Sequence, residues 1–129
     1  MGIIKDRFKE KADVVASDIK GLLKEHGNKV IGEVTLSQIY QGMRGITALV
    51  SETSLLDAQD GIRFRGYSIP ELREKLPKAP DGTEPLPEGI FYLMLLGELP
   101  TQEDVMNLGN VWARRAIVPK HVFDVLDKM

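Results

Sequence analysis

Between Gly42 and Gly66 the chain reads GMRGITALVSETSLLDAQDGIRFRG, and this stretch limits what the rest can become. Four glycines and an Asp-Gly pair break two apolar runs out of a chain that is otherwise patterned as helix. Glycine adopts left-handed backbone without the Cβ penalty, so turns are expected here and a continuous helix is not. Ile46 to Leu56 and Ile62 to Phe64 read as two strands around the five-residue loop Asp57-Ala58-Gln59-Asp60-Gly61, a β-hairpin signal. The expected fold is mainly α, several helices with one small β-hairpin near the front.

The flanks are helical by period. Residues 3 to 25 place Ile4, Phe8, Ala12, Val15, Ile19, Leu22 and Leu23 at steps of three and four. His26-Gly27-Asn28 predicts a left-handed stop. The polar face is mixed in sign, so packing on the protein itself or on a second copy is expected rather than a membrane surface. Lys29 to Thr35 is β-branched and weakly alternating and predicts a short strand. Thr35-Leu36-Ser37-Gln38 and Ser68-Ile69-Pro70-Glu71 are capping boxes, the first opening a short helix that ends near Gly42. A stiff, proline-rich surface loop spans Lys78 to Gly89. Glu88 to Leu96 is an apolar helix stopped by Gly97. Thr101 caps another with Asp104 three residues on, reaching about Ala116, and Pro119 starts a last one carrying Val122, Phe123, Val125 and Leu126.

At 129 residues with 43% apolar and 28% charged side chains, the chain is one globular domain's worth, residues 1–129, with enough apolar sequence for a core. A net charge of −2 gives no global field toward nucleic acid. Without cysteine there is no disulfide, thiolate nucleophile or Cys-type zinc site. The longest apolar run, Ile90 to Leu96, falls far short of the roughly 20 residues of a membrane span. The first residues have no apolar leader, and Asp6, Glu10 and Asp13 argue against a transit peptide, so a cytoplasmic protein is expected.

Candidate chemistry is sparse. His26 completes a helix end, and His121 could share a helix face with Asp124, but no nucleophile or metal ligand joins either. No catalytic residue and no metal site is assigned. Glu52, Asp57 and Asp60 cluster near the hairpin, where solvated charge is the default. Arg63 and Arg65 flank Phe64 in a strand pattern, which puts them on one face, with salt bridges to Glu52 or neighbouring acids the plainer role. No nucleotide-loop motif occurs. Gly42-Met43-Arg44-Gly45 is the most informative group. Glycine lets backbone approach a ligand and arginine offers a fork of donors, so Arg44 is the candidate anion contact.

Three longer blocks carry a resemblance: GMRGITALVSETSLLDAQDGIRFRGYSIPEL, LPKAPDGTEPLPEGIFYLMLLGELPT and WARRAIVPKHV, with HGNKVIGEVTLSQIYQGMRG before them. In order and without large gaps, they resemble the N-terminal part of citrate synthase, nearest the group that includes the mitochondrial enzymes. The resemblance implies a dimeric, largely helical acyltransferase of the tricarboxylic acid cycle. It condenses acetyl-CoA with oxaloacetate and water to citrate and CoA. It needs no cofactor beyond acetyl-CoA and CoA as substrate and product, and its large and small domains close over the substrates. This chain would supply the first part of the large domain.

The family's enolising histidine and aspartate, its second histidine and its oxaloacetate arginines would lie beyond Met129, and His26 and His121 do not match them. Arg44, in GMRG, resembles the family arginine that contacts the CoA phosphates. The chain alone is therefore expected to be inactive, with acetyl-CoA and oxaloacetate as partners of the complete enzyme, a homo-oligomer as its assembly, and neither nucleic acid nor membrane. The uncapped end after Asp127-Lys128-Met129, with apolar Val122, Phe123 and Leu126 needing cover, favours a fragment that associates in isolation. The alternatives are a non-catalytic helical interaction or CoA-binding module, and part of a 2-methylcitrate synthase that uses propionyl-CoA.

Overall fold

The computed structural model describes residues 2–47 and 49–129, excepting the side chains of Gly2 and Ile3. Among the described residues there are six helices and a three-stranded sheet: α1 (Gly2–His26), α2 (Leu36–Tyr40), β1 (Ser54–Asp57), β2 (Gly61–Phe64), β3 (Tyr67–Ser68), α3 (Ile69–Lys75), α4 (Pro87–Leu96), α5 (Gln102–Arg115) and α6 (Lys120–Leu126). The mainly helical expectation holds.

The core is built on α4, the apolar helix of the sequence. Tyr92, Leu93 and Leu96 are buried along its face, with Leu72 of α3 and Leu76 just past its end on one side and Val105 and Leu108 of α5 on the other. Phe64 and Tyr67 of the sheet close the cluster. Each fully buried leucine contributes about 2 kcal/mol by removal of apolar surface from water. Gly97 at φ 75° ends α4, as expected of a glycine after the last apolar turn. Thr35 with Gln38, Ser68 with Glu71 and Thr101 with Asp104 all form reciprocal capping boxes, so three helix starts stand where the sequence puts them.

Helix α1 reaches this core through its first half. Arg7 lies over the Tyr92 ring at 5.5 Å and pairs with Glu98, while Lys11 Nζ donates to the Leu96 carbonyl at 2.6 Å. Its second half leaves Val15, Ile19, Leu22 and Leu23 exposed, as α6 leaves Phe123, Val125 and Leu126.

Several expectations are corrected. Lys29 to Thr35 is not a strand, because the sheet is β1-β2-β3 and offers this segment no neighbour to pair with. The first hairpin strand starts at Ser54, not Ile46, since its partner β2 has only four residues. Asp57 pairs with Gly61, which shortens the loop to three residues, with Gly61 at φ 80°. A third strand, β3, follows a two-residue turn. Arg65 and Gly66 form that turn at φ 49° and 88°, so Arg65 is not in the strand beside Arg63. The end of α1 is not left-handed. Gly27 N–H bonds to Leu23 O at 2.9 Å, and glycine is needed because a Cβ would collide with that carbonyl.

Candidate functional site

Arg44 stands at the corner of a turn built in two steps. Helix α2 ends in a Schellman motif: the Met43 N–H donates to Gln38 O at 2.8 Å and the Gly42 N–H to Ile39 O at 3.3 Å, with Gly42 at φ 74°. A β-turn follows at once, the Ile46 N–H donating to Met43 O at 3.3 Å, with Gly45 at φ 74° in the position where a type II turn demands positive φ. The two glycines of GMRG are thus fixed by backbone conformation. Met43, at φ 62°, holds a left-handed conformation at a cost of about 1 kcal/mol.

The result is an exposed arginine that no acid among the described residues engages. Arg7, Arg63, Arg65 and Arg73 each make ion pairs. Arg44, like Arg114 and Arg115 in the last turn of α5, makes none among the described residues, and the N–H groups of Arg44 and Gly45 have no backbone acceptor there. A guanidinium and free N–H groups on one turn suit an anionic oxygen cluster.

The remaining candidates go to structure. Glu52 lies 3.6 Å from Arg65, and Asp60 lies 3.6 Å from Arg63, the salt-bridge role expected of both arginines. The Asp57 carboxylate accepts the Asp60 and Gln59 N–H groups at 2.9 and 2.8 Å, and these bonds hold it below the usual carboxylate range. Asp124 pairs with Lys120 at 3.2 Å, and His26 sits 3.8 Å from Glu25 on an exposed helix end. No group of three or more His, Asp or Glu among the described residues could hold a metal. Among the described residues no helix is long and apolar enough to cross a membrane.

Two apolar grooves flank α1. One lies against Phe8, Val15, Leu95 and the Glu52–Arg65 pair, and one of about 540 Å³ lies against Phe91, Leu95, Leu108 and Trp112. Neither includes Arg44. The sequence reading missed two contacts. One lies in the core and not at Arg44: the Arg65 guanidinium on the α4 end, where Nη2 donates to Met94 O at 2.9 Å. The other supports the site and is Gln38, whose amide nitrogen lies 3.5 Å from the Arg44 carbonyl. The capping box named Gln38, but nothing in a linear pattern shows where its second amide end points.

The fold and this site define a mainly helical protein with an exposed arginine on a glycine turn. The family model described as citrate synthase, C-terminal domain, matches residues 42–129. The chain belongs to the citrate synthase family. It is 53% identical over 125 residues to the mitochondrial citrate synthases of Aspergillus niger and Neurospora crassa, and 54% identical over 125 residues to the mitochondrial 2-methylcitrate synthase of Yarrowia lipolytica. Each match takes in 97% of this chain and 26–27% of the relative, so the chain spans about a quarter of their length. These names correct the cytoplasmic expectation, because they point to the mitochondrion. The acidic residues that argued against import, Asp6, Glu10 and Asp13, belong to the folded helix α1 and describe that helix, not a targeting leader.

Proposed function

We propose that residues 1–129 form the N-terminal part of the large domain of a mitochondrial acyltransferase that condenses acetyl-CoA with oxaloacetate and water to citrate and CoA. In this reading Arg44 contacts the CoA phosphates, and the acid–base groups come from outside this chain, which is inactive alone. The observation that carries it is the exposed, unpaired Arg44 on its glycine turn, within the segment that the family model matches. The exposed apolar faces of α1 and α6 support an assembly that covers them with the rest of the protein and a second subunit.

The test is Arg44→Ala in the complete protein. Loss of a charge-assisted phosphate contact raises the KM for acetyl-CoA about tenfold and leaves that for oxaloacetate unchanged. An unchanged acetyl-CoA KM refutes the assignment. A second reading, condensation of propionyl-CoA to 2-methylcitrate, is favoured by the Yarrowia relative, whose identity equals that of the citrate synthases to within a percentage point. The ratio of kcat/KM for the two acyl-CoAs decides between them.

A further inference from the structure

Among the described residues one side chain, Gln38, bonds to the turn that carries Arg44. Resting on the reading of Arg44 as a CoA-phosphate contact, we infer that Gln38 is the positioning residue of that site, an amide clamp that fixes the Arg44 turn against the start of α2.

The amide has two ends with different duties. Its oxygen accepts from the Thr35 N–H at 3.0 Å and the Thr35 hydroxyl at 3.2 Å, which closes the capping box. A backbone N–H can only donate, so the end facing Thr35 is the oxygen and the NH₂ must face the other way. There it donates to the Arg44 carbonyl at 3.5 Å. The backbone of the same residue adds two ties. Its N–H donates to Thr35 Oγ1 at 3.3 Å and its carbonyl accepts the Met43 N–H at 2.8 Å. A Cβ on Gly45 would stand 3.9 Å from Gln38 Nε2, so the side chain lies along the glycine next to Arg44. Among the described residues this is the sole side-chain bond to the Gly42–Gly45 backbone. Glycines at positive φ gain the most freedom when such a tie is lost.

The chemistry of residue 38 separates the two duties. Glutamate closes the same capping box but has no N–H to give, and its carboxylate would face the Arg44 carbonyl. Methionine keeps the length and carries neither group. The experiment compares the complete protein with Q38E, Q38M, R44A and the R44A/Q38M pair, by steady-state kinetics and thermal melting.

In the expected result Q38E melts as the parent does, and both Q38E and Q38M raise the acetyl-CoA KM about threefold to tenfold, with kcat and the oxaloacetate KM unchanged. Q38M adds nothing further in the R44A background, because it acts through Arg44. A parental acetyl-CoA KM for Q38M beside a raised one for R44A overturns the clamp and leaves the anion site standing. An effect confined to Q38E overturns it too, since added charge and not a lost donor is then responsible. Additive effects in the pair show that Gln38 acts elsewhere. An R44A that behaves as the parent overturns the site and the clamp together.

Discussion

Substitution of Arg65 separates two opposing energies. Arg65 and Gly66 are the central residues of the turn between Phe64 and Tyr67, both at positive φ, the type I′ geometry that suits a tight hairpin. A side chain there costs about 1 kcal/mol relative to glycine. The guanidinium offsets this by donating from Nε and Nη2 to Met94 O at 3.3 and 2.9 Å. That carbonyl is one of the four at the end of α4 without an intrahelical partner. Charge-assisted donation to it contributes about 2 kcal/mol, and the exposed Glu52 at 3.6 Å adds less than about 1 kcal/mol. Arg65→Ala keeps the strain and loses the bonds, a cost of about 2 kcal/mol. Arg65→Gly loses the same bonds and relieves the strain, a net cost of about 1 kcal/mol. Urea unfolding followed by Trp112, which packs edge-on against Phe91 at 5.2 Å, reads both. With a slope near 1.5 kcal/mol/M the midpoint falls by about 1.3 M for alanine and about 0.7 M for glycine. A glycine variant as unstable as the alanine variant refutes the left-handed strain. Parental midpoints for both refute the cap on α4.

The same assay tests the core and the carboxylates. Leu93→Ala empties the fully buried centre of α4 and costs about 3–4 kcal/mol at unchanged slope, and a loss under about 1 kcal/mol would place the core elsewhere. Four carboxylates have depressed pKa values. The Ser68 hydroxyl and N–H act on Glu71, the Arg73 guanidinium on Glu84, and the Asp60 and Gln59 N–H groups on Asp57. Burial pushes Asp104 up, but the Thr101 bonds and the Arg7 charge more than offset it. Below its ordinary range of about 4 the unfolded state binds the extra proton first, so the stability these groups give is present above that range and lost as pH falls through their folded values. Unfolding free energy is therefore expected to fall on acidification from about pH 5, less steeply in Glu71→Gln, and a slope identical to the parent's would refute the role of Glu71.

Local chemistry was legible and pairing was not. Thr35, Ser68 and Thr101 announced their helices because a capping box lies within four residues, and Gly97 announced the end of α4 in the same way. The strand limits failed because they depend on a partner. The apolar run from Ile46 has the composition of a strand, but β2 is only four residues long before Arg65 and Gly66 reverse the chain. Lys29 to Thr35 failed for the same reason, lacking any neighbour in the sheet. Arg65 read as strand because an arginine at φ 49° is rare enough for pattern reading to pass over it.

The candidate site divides along the same line. The glycines around Arg44 pointed to an exposed turn because each marks a positive φ that the backbone uses, at the Schellman end of α2 and in the turn that follows. What sets Arg44 apart from Arg7, Arg63, Arg65 and Arg73 is largely non-local. Arg65 reaches Met94 across 29 positions, Arg7 reaches Tyr92 across 85 and Glu98 across 91, and each is thereby committed to the core. Arg63 and Arg73 are committed by Asp60, Glu71 and Glu84. An arginine held in such pairs is restrained and partly neutralised, whereas one at a turn corner keeps its full charge and its fork of donors for a ligand. Pairing therefore leaves Arg44, Arg114 and Arg115 available among the described residues, and of these only Arg44 lies on a glycine turn, whereas in a linear sequence Arg44 and Arg65 each show only an arginine beside a glycine.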